Sequence, residues 1–244
     1  MKPFIRKWLK SSILFKLIRF VKHYIIFKKN NDSRLKLKLK DIQLEIDDWG
    51  NVHPFNRDLV YLTYWAMRKL YLYQPEKHID ISSDIRFATL LSTFIKTEYY
   101  DIREINIQLP YLKTGIADLT QLPFKDNSIE SISCMHVVEH LGLGRYGDVL
   151  NPNADLLAIN EIVRVVKPGG KIFFMVPIGK PKIVFNAHRI YSYDQIQNYF
   201  SDLRQEEFVL IPDNPKDGHL IKNPSAKLID EQRIGCGCWI FIKP

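Results

Sequence analysis

Three hydrophobic patterns succeed one another in the middle of the chain. Ile129 to Val138 is almost continuously apolar, with Ile132, Cys134, Met135, Val137 and Val138, which predicts a strand buried on both faces. From Ala154 to Val166 the period becomes helical, with Leu156, Ile159, Val163 and Val166 on one face. Lys167-Pro168-Gly169-Gly170 should end that helix, since proline cannot continue it and glycine accepts positive φ. Lys171 to Val176 is then a second buried strand, closed by Pro177. Strand, polar loop, helix and strand in this order make a right-handed parallel crossover.

The flanking patterns extend the alternation. Arg57 to Tyr73 predicts a helix rich in aromatics (Tyr61, Tyr64, Trp65, Tyr71) and stopped by Pro75; core packing explains these aromatics better than substrate contact. A turn at Trp49-Gly50-Asn51 precedes it. His78 to Ser82, Thr97 to Ile102 and Lys113 to Ala117 read as strands, with a helix at Ile85 to Phe94. Ser192 to Phe200 reads as a helix, and Phe208 to Ile211 with Cys238 to Ile242 as a closing antiparallel pair across a long polar loop, 213–230. Helices and strands that alternate in this way define an α/β fold.

Charge separates the two ends. Of the 244 residues, the first forty hold thirteen Lys and Arg against one acid, Asp32, although the whole chain is only +8. The globular part is therefore mildly acidic, and nucleic acid is an unlikely partner for it. The natural division is a basic amphipathic extension, 1–48, and a domain, 49–244.

Within the extension, Arg6, Lys7 and Lys10 oppose Phe4, Ile5 and Trp8. Lys16, Arg19, Lys22 and His23 oppose Leu14, Leu17, Ile18, Val21 and Ile25, with Ser11-Ser12 between the two patches. Six Lys and Arg between Phe4 and Phe27 exclude a membrane span, which needs about 20 mostly apolar residues. The pattern also lacks the unbroken apolar core of a signal peptide. It suits an interfacial helix on anionic lipid through residues 1–40, or a helix packed on the domain or a partner. Leu35, Leu37 and Leu39 alternate with lysines as a short edge strand would. Three cysteines, Cys134, Cys236 and Cys238, are expected to be reduced in the cytoplasm, the latter two on one side of a strand in a structural role.

Leu122-Pro123-Phe124, Asp126, Ser128, Glu139-His140 and Glu161 to Gly170 resemble the pattern of class I S-adenosylmethionine (SAM)-dependent methyltransferases. Gly142 to Asp148 and Phe185 to Tyr191 resemble, more narrowly, the domain-of-unknown-function 268 family, a methyltransferase-like group found among bacterial surface-glycan genes and in nematodes. The resemblance runs from Asn51 to the C-terminus. It implies a Rossmann-like three-layer sandwich with a seven-stranded, mostly parallel sheet, and SAM as cofactor.

The cofactor residues implied are Asp80 and Ser82 in the turn after the first strand, Asp101 ending the second, Asp118 and Leu119 after the third, and His136. Asp101 lies 21 residues beyond Asp80, close to the spacing of about 20 for an acid that takes ribose hydroxyls. The turn departs from the family. Asp80-Ile81-Ser82-Ser83-Asp84 has no glycine, so Ser82 must tolerate whatever torsion glycine would have taken there.

Glu139, His140 and His188 are the candidate catalytic residues, His140 as a general base. His136, Glu139 and His140 also spell a metalloprotease motif, but no continuous helix would hold the histidines one turn apart; a non-protease metal site on them stays open. Arg145, Tyr146, Asn186 and Arg189 are the candidate substrate residues. They are expected at the same sheet edge, where Arg145 would hold an anion or pair with Asp148.

The activity implied is methyl transfer to a hydroxyl or carboxylate of a surface-glycan or lipid-linked precursor at the cytoplasmic membrane face. The alternatives are a protein that kept the fold, lost SAM and serves as a binding scaffold, and a metal-dependent enzyme on the same fold.

Overall fold

The computed structural model describes residues 13–31, 35–47 and 55–244, and the chain divides into two compact units, Met1–Phe55 and Asn56–Pro244. The expectations for Phe4 to Ser12 and for the Trp49-Gly50-Asn51 turn lie outside the described residues.

Among its described residues the first unit contains the helix α1 (Ile13–Asn30) and a 3-10 turn, Leu39–Asp41. Leu35, Leu37 and Leu39 do not form the expected edge strand. Alternation suits a strand, but a strand also needs a neighbour for its backbone, and none is paired with this run among the described residues.

The second unit is built on an eight-stranded sheet. Its strands are β1 (Lys77–Ile81), β2 (Lys96–Asp101), β3 (Leu112–Ile116), β4 (Ile129–Met135), β5 (Val166–Ile178), β8 (Arg204–Ile211), β9 (Ile221–Lys222) and β10 (Gly235–Ile242). They lie in the order β3-β2-β1-β4-β5-β10-β8-β9. β1 to β5 are mutually parallel where they pair, while β10, β8 and β9 run antiparallel. The eighth strand, β9, is two residues inside the loop expected at 213–230, too short for any period to show.

A separate hairpin, β6 (Lys182–Val184) with β7 (His188–Ile190), follows β5, so the Phe185–Tyr191 motif supplies its turn and returning strand.

Helices cover both faces. On one side α2 (Arg57–Tyr73) buries Leu62, Trp65 and Leu70 with Phe87 and Leu91 of α3 (Ile85–Leu91) against Phe173, Met175 and Val209. On the other, α4 (Ala154–Val165) and α5 (Tyr193–Tyr199) cover Phe174, Trp239 and Phe241. A short α6 (Ala226–Asp230) sits in the last loop.

α4 buries Ala158, Ile159, Ile162 and Val165, a face turned from the one expected and including the small Ala158, which joins the core cluster. It ends at Val165, and the chain enters β5 directly. The residue before Pro168 is confined to extended torsions, and the turn falls to Gly169 at φ +77°.

Candidate functional site

The chain lays β1, β2 and β3 outward in one direction and then returns to place β4 beside β1. That reversal opens a crevice at the carboxyl ends of β1 and β4, the place where open α/β sheets bind ligands. Ser82 follows β1 and His136 follows β4, with φ +56° and +58° respectively. Both are non-glycine residues in the left-handed region, a torsion that costs roughly 1–2 kcal/mol and is held by surrounding contacts.

Those contacts begin at Asp80. Its carboxylate accepts the Ser83 N–H at 3.1 Å, and Ser83 Oγ in turn accepts the Met135 N–H at 3.1 Å. Ser82 N–H donates to Tyr100 O at 2.8 Å. Three polar residues thus tie down the turn that lacks glycine. Asp80 is wholly buried and lines neither cavity of the crevice, so it supports the turn instead of touching a ligand.

Behind Asp80 runs a buried polar line. Ser133 Oγ bonds Asp80, His78 Nε2 lies 2.8 Å from Ser133 Oγ, and His78 Nδ1 lies 2.7 Å from Ser131 Oγ. Burial raises the Asp80 pKa from 3.8 to about 7 and lowers that of His78 from 6.5 to about 3. The two shifts act on stability with opposite signs. Folded Asp80 keeps a proton that the unfolded chain gives up, so its contribution falls as pH rises from 3.8 to about 7. Folded His78 refuses a proton that the unfolded chain takes, so its contribution grows as pH rises from about 3 to 6.5.

Between pH 4 and 6.5 these slopes cancel. Asp80→Asn removes one of them. Relative to wild type, the variant should gain stability with rising pH at up to about 1.4 kcal/mol per unit, or about 3 kcal/mol over that window. Urea unfolding of both proteins at several pH values measures the difference, and parallel profiles would contradict the cancellation.

Asp101 ends β2 and is 3% exposed. Its carboxylate accepts the Arg103 N–H at 2.9 Å and Arg103 Nε at 3.0 Å, with Tyr99 Oη at 3.4 Å. Burial opposes its ionisation, but the bonds from Arg103 outweigh burial and hold the pKa below the ordinary carboxylate value. The Arg103 guanidinium also lies 5.3 Å from the Tyr146 ring centroid, with Arg145 stacked on the same ring at 5.1 Å. Asp118, Leu119 and Tyr146 share with Asp101 a small cavity of about 100 Å³. Asp118 spends one carboxylate oxygen on its own turn, accepting the Thr120 N–H and hydroxyl.

Ser82, His136, His140 and Tyr146 border both this cavity and a larger one of about 530 Å³. On the floor of the larger cavity, Glu139 is 1% exposed. Its Oε1 lies 2.9 Å from His136 Nδ1 and 3.8 Å from His140 Nε2, while Oε2 is buried with no partner. His136 Nε2 is 3.2 Å from Cys236 Sγ. Burial disfavours a charged His136, yet Cys236 and Glu139 outweigh it and raise its pKa. Contact with Cys238 at 3.8 Å, together with burial, raises the Cys236 pKa.

The β6–β7 hairpin arches over this floor. His140 Nδ1 donates to Ala187 O at 2.6 Å, which leaves Nε2, 3.8 Å from Glu139 Oε1, as the nitrogen able to accept a proton. His188 lies edge-on to His140 at 6.4 Å between ring centroids. Burial, then the neighbouring His140, lowers the His188 pKa, so His188 is neutral near pH 7.

The structure therefore brings together Ser82, His136, Glu139, His140, Tyr146 and His188 around one cleft, with Asp101, Asp118 and Leu119 beside it. Arg189 is elsewhere. It is buried, donates to Leu141 O at 2.6 Å and Pro152 O at 3.1 Å, and approaches Asp155 at 3.5 Å; it fastens the glycine-rich loop to the hairpin. Asn186 sits exposed in the hairpin turn and lines neither cavity. Arg145 reaches Ala187 O at 3.1 Å and His140 Nδ1 at 3.3 Å. Asp148 accepts the N–H groups of Gly144 and Tyr146, so it shapes the loop instead of pairing with Arg145.

No Lys or Arg lines the larger cavity among the described residues, whereas Asp58 and Thr63 of α2 do. The sequence carried no motif for these two, nor for Cys236 at the floor. Arg103 was readable in hindsight only from standing two residues past Asp101. No three His, Cys, Asp or Glu among the described residues are placed to share a metal ion, so the metal alternative has no ligand set there.

A SAM-type cofactor fits this set of residues. The left-handed turn is present without glycine, and a buried acid, Asp101, ends β2 beside the small cavity. Arg103, whose side chain is 65% exposed, lines that cavity and pairs with Asp101.

Comparisons with known proteins agree on the fold. Residues 117–202 match the family model described as "Caenorhabditis protein of unknown function, DUF268". An uncharacterized protein of Methanocaldococcus jannaschii is 32% identical over 79 residues, which are 31% of this chain and only 29% of that protein.

Among solved structures, YcgJ of Bacillus subtilis superposes with a TM-score of 0.53 at 14% identity, over 75% of this chain and 98% of its own. The 1,6-didemethyltoxoflavin-N1-methyltransferase of Burkholderia thailandensis, solved with its substrate and S-adenosylhomocysteine, gives 0.52 at 10% identity, over 75% of this chain and 78% of its own. The [4+2]-cyclase SpnF gives 0.51 at 13% identity, over 73% and 81%. Residues 117–202 thus match the DUF268 family model, and the domain has the fold of class I SAM-dependent methyltransferases.

Proposed function

We propose that the protein is a SAM-dependent methyltransferase whose acceptor is a hydroxyl, with His140 as the base. The observation behind this reading is a single crevice at the β1/β4 reversal. It combines a left-handed turn at Ser82, a buried acid at Asp101 and an imidazole with one nitrogen fixed and the other able to accept a proton. SAM, when bound, supplies an electrophilic methyl group.

The chain's own residues do the rest. Asp101 would take the ribose hydroxyls, Asp118 and Leu119 would flank the adenine, and the turn at Ser82 and Ser83 would face the methionine portion. Ala187 O holds His140 Nδ1–H, so Nε2 can accept the proton of an acceptor hydroxyl, and Glu139 stabilises the imidazolium that results. His188, kept neutral, is the second candidate for that proton. Tyr146 and the hairpin exclude water from one side.

A carboxylate acceptor loses its support, because Arg189 is spent on the loop and no Lys or Arg lines the larger cavity among the described residues. The glycan or lipid-linked nature of the acceptor rests on the resemblance to the DUF268 group. One observation favours the rival reading of a SAM-independent binding protein: Arg103 fills the place of the ribose at Asp101.

Calorimetric titration of the full chain with SAM and S-adenosylhomocysteine separates the two. Weak but measurable binding is expected. Absence of any heat at millimolar ligand would leave the rival reading standing.

A further inference from the structure

Among the described residues, contacts to α1 gather on one side. Lys16 pairs with Asp47, and Arg19 Nη2 donates to Ile46 O at 3.2 Å, so the chain returns along that side of the helix. Phe15, Phe20 and Tyr24 are half-buried around the same side. On the opposite side Leu14, Ile18, Val21 and Ile25 recur at i, i+4, i+7 and i+11, which aligns them in one stripe. Their exposures are 64%, 59%, 53% and 59%, and no residue of α1 is buried. Helical spacing puts Lys28 along one margin of the stripe and Lys22 and Lys29 along the other.

Four large aliphatic side chains held toward water have a cost unless something meets them. The lysines narrow down what that is. Lysines at the margins of an apolar stripe can lay their stems along it and keep their ammonium groups at phosphates while the apolar groups reach an acyl boundary. The composition agrees, since the first forty residues hold thirteen Lys and Arg and one acid. No described helix is long and apolar enough to cross a bilayer, so the contact is with its surface.

We propose that α1 is a docking helix for anionic lipid, lying in the plane of the interface with the Leu14–Ile18–Val21–Ile25 stripe facing the acyl chains. Each Lys or Arg near such a surface adds an attraction that falls off within a Debye length. A helix of this kind attaches reversibly. The proposal is independent of the reaction assigned to the crevice.

The test is co-sedimentation of the full chain with vesicles of phosphatidylcholine alone and of phosphatidylcholine mixed with phosphatidylglycerol. The chain should sediment with the mixed vesicles and not with the neutral ones, and should be released as salt shortens the Debye length from about 10 Å at 0.1 M to about 3 Å at 1 M. Replacing Leu14, Ile18, Val21 and Ile25 together by Ser keeps every charge and should lower partitioning at least about tenfold. Lys22→Glu with Lys28→Glu and Lys29→Glu keeps the stripe, guards against a helix lost in the first variant, and should lower it as much. Sedimentation equal to wild type in the Ser variant would overturn the proposal, because charge alone would then hold the protein. Failure of the full chain to sediment with anionic vesicles would overturn it outright, and capture by a protein partner that the vesicles do not compete away would assign the stripe to that partner instead.

Discussion

Asp101→Ala should reduce affinity for S-adenosylhomocysteine by at least about a hundredfold, while Arg103→Ala should increase it. The carboxylate is buried at 3% exposure and is the acid at the end of β2, so its removal leaves two ribose hydroxyls facing an apolar wall. Losing a charged hydrogen-bond partner on buried groups costs about 1.5–3 kcal/mol per bond, and two such bonds give the expected loss. Arg103 acts in the other direction. Its guanidinium and backbone N–H occupy the same carboxylate in the free protein, and the guanidinium must leave before a nucleoside can bind. Without it the competitor is gone and the small cavity is larger. Titration calorimetry of the three proteins gives both numbers. A weaker Arg103→Ala complex would mean that the guanidinium stacks on the adenine instead of blocking it.

Gly142→Ala should destabilise the protein by about 4 kcal/mol, and Gly147→Ala by only about 1 kcal/mol, although both glycines stand in the left-handed region at φ +70° and +81°. The torsional cost is common to both. The difference lies in what a methyl group would meet. At Gly142 a Cβ would lie 2.0 Å from Asn151 O, a backbone atom held by the Asn151 N–H···O=C Gly142 bond of 3.0 Å, whereas at Gly147 nothing is within 4 Å. The close approach closes the loop that carries Tyr146 over the cleft, so Gly142→Ala should disturb ligand binding as well. Equal denaturation midpoints for the two variants would show that the loop opens freely.

The crossover from β4 through α4 to β5 was legible because each segment is long and its period unambiguous. The flanking strands ended close to where their apolar runs end, and Asp101 closes β2 where the sequence pattern ends that strand. The torsion at Ser82 was readable from the turn it occupies.

What escaped shares a cause: a pattern along the chain does not reveal which way a side chain turns once the backbone leaves regular structure. His188 and Arg189 were both placed at the crevice, yet neighbours in a strand point to opposite faces, and β7 sends His188 to the cleft and Arg189 into the loop anchor. Applying that alternation to the Phe185–Tyr191 motif would have separated them. The predicted strand through Val138 stops at Met135 because His136 adopts positive φ, which no residue type announces except glycine. Asp58 and Thr63 enter the cleft from the first turns of α2, a matter of docking angle alone.

Tyr146 borders both cavities and is clasped between Arg103 and Arg145. Arg103 is held by the acid that a nucleoside would claim, and Arg145 by the carbonyl of Ala187 that orients His140. On the proposed function, a nucleoside arriving at Asp101 would release one side of the clasp and change the freedom of a ring that also borders the larger cavity, which would link the two ligands energetically. By thermodynamic reciprocity, whatever factor the nucleoside imposes on acceptor affinity, the acceptor must impose on the nucleoside.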